Sequence, residues 1–270
     1  MEVTTAVADR GARVRSPRAF LTMYRRAVHE ALSVPATTML VPLILPIFML
    51  TIFGRVFASV AAIPGFPQGV GYAAYIAPSV VITGTMLGSP TTGISTAMEL
   101  QTGFFDRMRL APLGTGMSMV ARRAADGTRL AFFAVVLTVA AWVDGVPIEN
   151  WPLALGVAVV LGAAWGVVYG GLALAASLRT ANAETVQAMV PLFFPVLLMS
   201  TGLVPMPLLP DWLQEIARYN PVSYICDSMR SATAGEFAAS ATWKALLGIA
   251  IAGVVTQVLV QLSSRYRARV

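Results

Sequence analysis

The stretch Glu99–Gly114, ELQTGFFDRMRLAPLG, lies between long apolar runs and is built differently from both. It carries two acids, two arginines and the pair Phe104–Phe105, and it closes on Pro112. Thr102 is a capping residue type placed for a short helix beginning near Gly103. Asp106, close to the start of that helix, suits the positive end of its dipole. Pro112 biases Ala111 away from helical geometry, so the helix is expected to stop there. Leu100, Phe104 and Met108 recur every four residues on one side, whereas Asp106, Arg107 and Arg109 point elsewhere. A helix that displays aromatics and charges together is either a docking knob for another protein or an interfacial helix whose phenylalanines dip among lipid headgroups. Spacing alone leaves both readings open.

The flanking runs establish what solvent surrounds the chain. Of its 270 residues, 57% are hydrophobic and only 12% charged, with a mean hydropathy of +0.72. A soluble domain carries about 25% charged residues, so most of this chain is expected to sit in lipid. The net charge is +6, but the basic residues fall in short runs between apolar segments. That pattern fits membrane orientation and not the basic face that nucleic-acid binding needs. Lysine occurs once, at Lys244, and every other base is arginine; this skew, with abundant Ala, Gly and Val, suggests high-GC bacterial coding. The single cysteine, Cys226, excludes an intramolecular disulfide and a thiolate metal cluster. No apolar run precedes Thr38, so no cleavable signal peptide is expected. Residues 1–17 read as a cytoplasmic tail and residues 18–270 as one transmembrane domain.

A spanning helix needs about 20 mainly apolar residues, and six segments qualify: about 38–58, 72–97, 118–142, 152–177, 186–204 and 243–262. The first contains Pro42 and Pro46 and the fifth Pro191 and Pro195, tolerable where neighbouring helices re-satisfy the freed carbonyls. The third is the least apolar, with Arg122, Arg123, Asp126 and Arg129 in its first half. Arginine placement orients the set. Arg10, Arg13, Arg15, Arg18, Arg25 and Arg26 precede the first span. Arg107, Arg109, Arg122, Arg123 and Arg129 follow the second, Arg179 follows the fourth, and Arg265, Arg267 and Arg269 end the chain. The opposite side receives only Arg55, Arg218, Arg230 and Lys244. Both termini and the 99–114 loop are therefore expected in the cytoplasm, and the 205–242 segment outside. Before the first span, RAFLTMYRRAVHEALS forms an amphipathic pattern expected to lie on the cytoplasmic leaflet.

Two stretches carry a resemblance. The order Glu99, Gly103, Asp106, Arg107, Pro112, Leu113 resembles the cytoplasmic loop of type 2 ABC exporter permeases, with the daunorubicin-resistance-type membrane subunits the nearest subgroup. The segment 199–231, MSTGLVPMPLLPDWLQEIARYNPVSYICDSMRS, resembles the family's later signature through Pro210, Trp212, Leu213, Asn220 and Pro221. Thr201-Gly202 stands where Ser-Gly is common. The resemblance implies transport driven by a separate ATPase. It makes Glu99, Gly103, Phe104, Phe105, Asp106, Arg107 and Pro112 a coupling helix seated in a groove of that nucleotide-binding subunit. It further implies a second permease copy, or a homologous permease, to enclose the path. It also implies an outer helical hairpin, with Pro210, Trp212, Asn220 and Pro221, that helps close the outer end.

The chain lacks a motor of its own. A phosphate-binding P-loop requires Gly-Lys-Ser/Thr, and Lys244 lies between Trp243 and Ala245. ATP and magnesium are accordingly expected on the partner, with no cofactor or metal on this chain and no enzymatic activity. In the loop SLRTANAETVQ, Arg179 and Glu184 are candidates for a secondary ATPase contact, while Asn182 or Thr185 is placed to cap the next helix. Arg122, Asp126 and Arg129 stand at i, i+4 and i+7, a spacing for mutual neutralisation. Gly166, Gly170 and Gly171 form a small-residue face for close helix packing. The expectation is an all-α, polytopic membrane protein. It has six transmembrane helices, an N-terminal amphipathic interfacial helix, a cytoplasmic coupling helix and an outer re-entrant helical hairpin. The functional expectation is a permease subunit exporting a hydrophobic or amphipathic drug, lipid or glycolipid across a bacterial plasma membrane. The rivals are an ATP-independent secondary transporter or channel, and a non-transporting membrane scaffold.

Overall fold

The computed structural model describes residues 36–102 and 115–267, with 21–22, 24–25 and 28–29 before them. All regular structure among these residues is helical. Ten α-helices follow in order: α1 Ala36–Val56, α2 Tyr72–Gly88, α3 Thr91–Gln101, α4 Thr115–Val143, α5 Trp151–Thr180, α6 Ala183–Ala188, α7 Phe193–Leu198, α8 Asp211–Tyr219, α9 Pro221–Thr233 and α10 Ala239–Arg267. Among the described residues, four stretches are long and apolar enough to cross a membrane: Met39–Val56, Val120–Val143, Trp151–Thr180 and Ala239–Tyr266.

The other two expected spans are interrupted, and prolines explain both. The apolar run 72–97 divides into α2 and α3 at Ser89–Pro90. Pro90 has no amide to offer the carbonyl four residues back, so the ladder stops there. Ser89 covers that Met86 carbonyl with its hydroxyl, at 2.8 Å. The run 186–204 divides into α6, a 3₁₀ turn at Val190–Leu192 containing Pro191, and α7 containing Pro195.

α2 is the centre of the molecule. Every residue from Tyr75 to Met86 is buried, with α1, α4, α5, α7 and α9 packed around it. Its approach to α5 depends on a ridge of glycines four residues apart. A β-carbon at Gly162 would meet Val81 at 3.3 Å, one at Gly166 the Thr85 carbonyl at 3.1 Å, and one at Gly170 the Ser89 carbonyl at 2.8 Å. Val81, Thr85 and Ser89 are also four apart, so two parallel i, i+4 rows lie backbone to backbone. The expected small-residue face is thus real for Gly166 and Gly170. Gly171 turns instead toward Thr256 of α10 and the Arg123 guanidinium. α10 lies mainly against α5 and α9, and its other side carries exposed Trp243, Leu247, Ile251, Val254 and Val258.

Candidate functional site

Phe104, Phe105, Asp106, Arg107, Pro112 and Gly103 lie outside the described residues, as does the 1–17 tail. The structure does describe what holds the two ends of that loop. Glu99, in the last turn of α3, accepts two hydrogen bonds from Arg122 in α4, at 2.6 and 2.7 Å. This paired geometry is the strong form of a carboxylate–guanidinium contact, and each side chain is only 21% exposed. Thr102 ends α3, its hydroxyl donating back to the Glu99 carbonyl at 3.2 Å.

One and two turns further along α4, the polar seam continues inward. Asp126 accepts from the Thr92 hydroxyl of α3 and pairs with Arg129 at 3.1 Å. Arg129, 4% exposed, donates to the Gly88 carbonyl at 2.9 Å. That carbonyl ends α2, so the cation also sits at the negative end of a helix dipole. The Asp126–Arg129 neutralisation expected from spacing is present. Glu99 as the partner of Arg122 was not foreseen, because the two are separated by the whole loop. Arg123 points to α10 and α5, donating to Gln257 at 2.6 Å and to the Val167 carbonyl at 3.3 Å. From the N-terminal segment, Tyr24 shares a 2.6 Å hydrogen bond with Thr128 of α4.

Asn182 caps α6, accepting from the amides of Glu184 at 2.8 Å and Thr185 at 3.4 Å. Arg179, at the end of α5, lies over the ring of Tyr266, 5.7 Å from its centroid. Close to this end, an apolar cavity of about 330 Å³ opens between Pro90, Tyr169, Leu172, Val186, Met189 and Pro195. It therefore lies where both interrupted runs break.

At the other end of α2, the α8–α9 pair forms as the sequence indicates, with its break at Asn220–Pro221. Asn220 does three things. Its side-chain oxygen caps α9 by accepting from the Val222 amide at 3.0 Å, and its amide donates to the carbonyls of Val196 and Met199, both at 2.8 Å. Trp212, Ile216 and Tyr219 form an exposed stripe on α8, while Ala217 is buried on the protein side.

The turn Thr201–Gly202 is enclosed by polar groups that composition did not mark. Tyr75 donates to the Thr201 carbonyl at 2.8 Å and Ser79 to the Gly202 carbonyl. Arg230 adds bonds of 2.5 Å to Thr201 and 3.2 Å to Gly202, and pairs with Asp227 at 2.6 Å. A β-carbon at Gly202 would stand 2.8 Å from the Ser79 oxygen, which accounts for glycine at this point. Of the hairpin residues expected to matter, Asn220 holds the Val196 and Met199 carbonyls just before this turn, and Pro221 begins α9. Pro210 precedes α8 and Trp212 faces outward.

Residues 18–233 match the family model of the ABC-2 type transporter. The chain is similar to the transport permease ycf38 of Porphyra purpurea, 28% identical over 79% of this chain and 70% of the relative. It is also similar to the doxorubicin resistance ABC transporter permease protein DrrC of Mycobacterium tuberculosis, 27% identical over 73% of this chain and 71% of the relative. ABC-2 permeases work with an ATP-binding subunit and are not themselves enzymes. By its match to that family model, which covers most of its length, the chain belongs to the ABC-2 type transporter family, as a membrane permease subunit.

Proposed function

We propose that this permease exports a hydrophobic or amphipathic cargo across a bacterial plasma membrane, with both termini and the 103–114 loop in the cytoplasm. In this reading α2–α3 and α6–α7 complete six spans, and two permeases, identical or homologous, enclose the path in membrane lipid. Two ATPase subunits dock below and consume ATP with magnesium. The residues Glu99, Gly103, Phe104, Phe105, Asp106, Arg107 and Pro112 form the docking element, with Arg179 and Glu184 as a secondary contact. Pro210, Trp212, Asn220 and Pro221 belong to the outer gate.

The observation that carries the reading is the paired Glu99–Arg122 contact. A loop that only joined two helices has no need of a brace across its base, whereas a loop that receives force from a partner does. The cargo class is supported by the apolar cavity at the two helix breaks and by the similarity to a permease named for doxorubicin resistance.

The test is capture of its ATP-binding partner subunit by the detergent-solubilised permease. Phe105→Ala, Asp106→Arg and Arg107→Glu each weaken capture while the permease still inserts, since buried interface anchors carry about 2 kcal/mol or more. Unchanged capture in all three overturns the docking reading. Proton- or sodium-coupled flux without any ATPase points to a secondary transporter.

A further inference from the structure

Two arginines grip α2 near its opposite ends, and each is paired with an aspartate three residues before it. At the loop end, Arg129 donates to the Gly88 carbonyl and pairs with Asp126. At the hairpin end, Arg230 donates through Nε to the Tyr75 carbonyl at 3.0 Å and pairs with Asp227. The Arg230 guanidinium also lies 3.8 Å from the centroid of the Tyr75 ring. Tyr75 and Gly88 are 13 residues apart, about 20 Å along a helix at 1.5 Å per residue. From Tyr75 to Met86 every residue of α2 is buried, and close-packed interiors transmit displacement where loose ones absorb it.

We infer that α2 is a strut held by two arginine clamps, with Arg129 and Arg230 as positioning residues that pass movement of the 103–114 loop to the Thr201–Gly202 turn. The inference rests on the loop being the docking element. α3 receives any force on the loop directly, because it runs into the loop at Thr102. The weak point is Ser89–Pro90, where the helical ladder is interrupted and rotation can dissipate movement. The Asp126–Arg129 pair bridges that point: Asp126 holds Thr92 on the α3 side, and Arg129 holds Gly88 on the α2 side. At the far end Tyr75 and Ser79 donate to the turn itself, so the turn follows α2. Arg230 fastens the same turn and the Tyr75 backbone to α9, which brings the hairpin with it. The glycine ridge on α5 lets α2 seat Val81, Thr85 and Ser89 directly against it.

The experiment uses the complete transporter, permease with its ATPase, in proteoliposomes. A probe cysteine, Gln214→Cys in a Cys226→Ser background, is labelled with an impermeant maleimide in the nucleotide-free and ATP-vanadate-trapped states. In the parent the labelling rate differs several-fold between the two states. In Arg129→Gln and in Arg230→Gln that difference is lost, while ATPase capture and ATP hydrolysis remain at the parent level. Thr92→Val, which keeps both charges and cuts only the α3 side of the bridge, reduces the difference and guards against a folding defect in the arginine variants. Parent-level differences in Arg129→Gln or Thr92→Val overturn the strut. ATPase capture with no labelling response in the parent refutes the strut alone, whereas failure of the loop variants to alter capture refutes the docking reading beneath it.

Discussion

Arg122 and Glu99, 23 residues apart and on either side of the 103–114 loop, are joined by hydrogen bonds of 2.7 and 2.6 Å. The pair ties the last turn of α3 to α4, the two helices that flank the loop. Such a tie lowers the ordering cost that docking would otherwise meet. Glu99→Gln and Arg122→Gln are each expected to weaken ATPase binding by about 1–2 kcal/mol, roughly tenfold in Kd. The double variant should lose little more than either single one, because the two side chains act as a unit. The exchanged pair, Glu99→Arg with Arg122→Glu, should recover much of the affinity. Titration of the ATPase onto solubilised permease measures all four; additive losses would mean that the two residues act separately.

Orientation is tested by single cysteines in a Cys226→Ser background. With the loop in the cytoplasm and α8 outside, impermeant reagent added to intact cells labels Glu215→Cys and leaves Arg107→Cys untouched. Glu215 is an exposed position on α8, paired with Arg218 one turn on, at 3.1 Å. The reverse labelling pattern inverts the topology.

Two glycines of α5 should respond in opposite ways to substitution. At Gly166 a β-carbon already meets Leu130 at 2.9 Å and the Thr85 carbonyl at 3.1 Å, whereas at Gly156 nothing lies within 4 Å. Gly166→Val therefore forces α2 and α5 apart, at about 1–3 kcal/mol for overpacking. Gly156→Ala fills open space and gains up to about 1 kcal/mol of helix propensity. Thermal unfolding in detergent, followed by tryptophan fluorescence, should lower the midpoint for the first and hold or raise it for the second. Equal midpoints would remove the glycine ridge as a packing determinant.

What could be read from the sequence depended on how local the signal was. The α8–α9 pair was legible because Pro210 marks its start and Asn220–Pro221 its break. The break at Ser89–Pro90 carries the same kind of mark but lies inside a continuous apolar run, where hydropathy outweighs a single proline. The Asp126–Arg129 pair was legible as an i, i+3 spacing. The partners of Arg122 and Arg230 were not: one is an acid across a loop, and the others include backbone carbonyls at Thr201 and Gly202. Carbonyls leave no trace in composition. Tyr75 and Ser79 were hidden for the same reason, since they read as ordinary members of a buried helix while donating to that turn.

The hairpin offers the sharpest separation of packing from transport. Asn220→Asp keeps the oxygen that caps α9 but removes both amide donors, leaving the carbonyls of Val196 and Met199 uncovered. Asn220→Ala loses the cap as well, a further cost of about 1 kcal/mol. Pro221→Ala frees the backbone that Pro221 restricts at the break between α8 and α9. Trp212→Ala touches none of these contacts, because its ring is exposed; it removes only an anchor of the kind that sits at headgroup level. All four should still capture the ATPase, since the hairpin lies at the opposite end of α2 from the loop. Transport per ATP should fall in the order Trp212→Ala, Asn220→Asp, Asn220→Ala, with Pro221→Ala impaired as well. Reconstituted vesicles holding both subunits give transport and hydrolysis together. Parent-level transport per ATP in Asn220→Ala and Pro221→Ala would reduce the hairpin to a passive cover, and normal transport in Trp212→Ala alone would leave the gate intact but remove its membrane anchor.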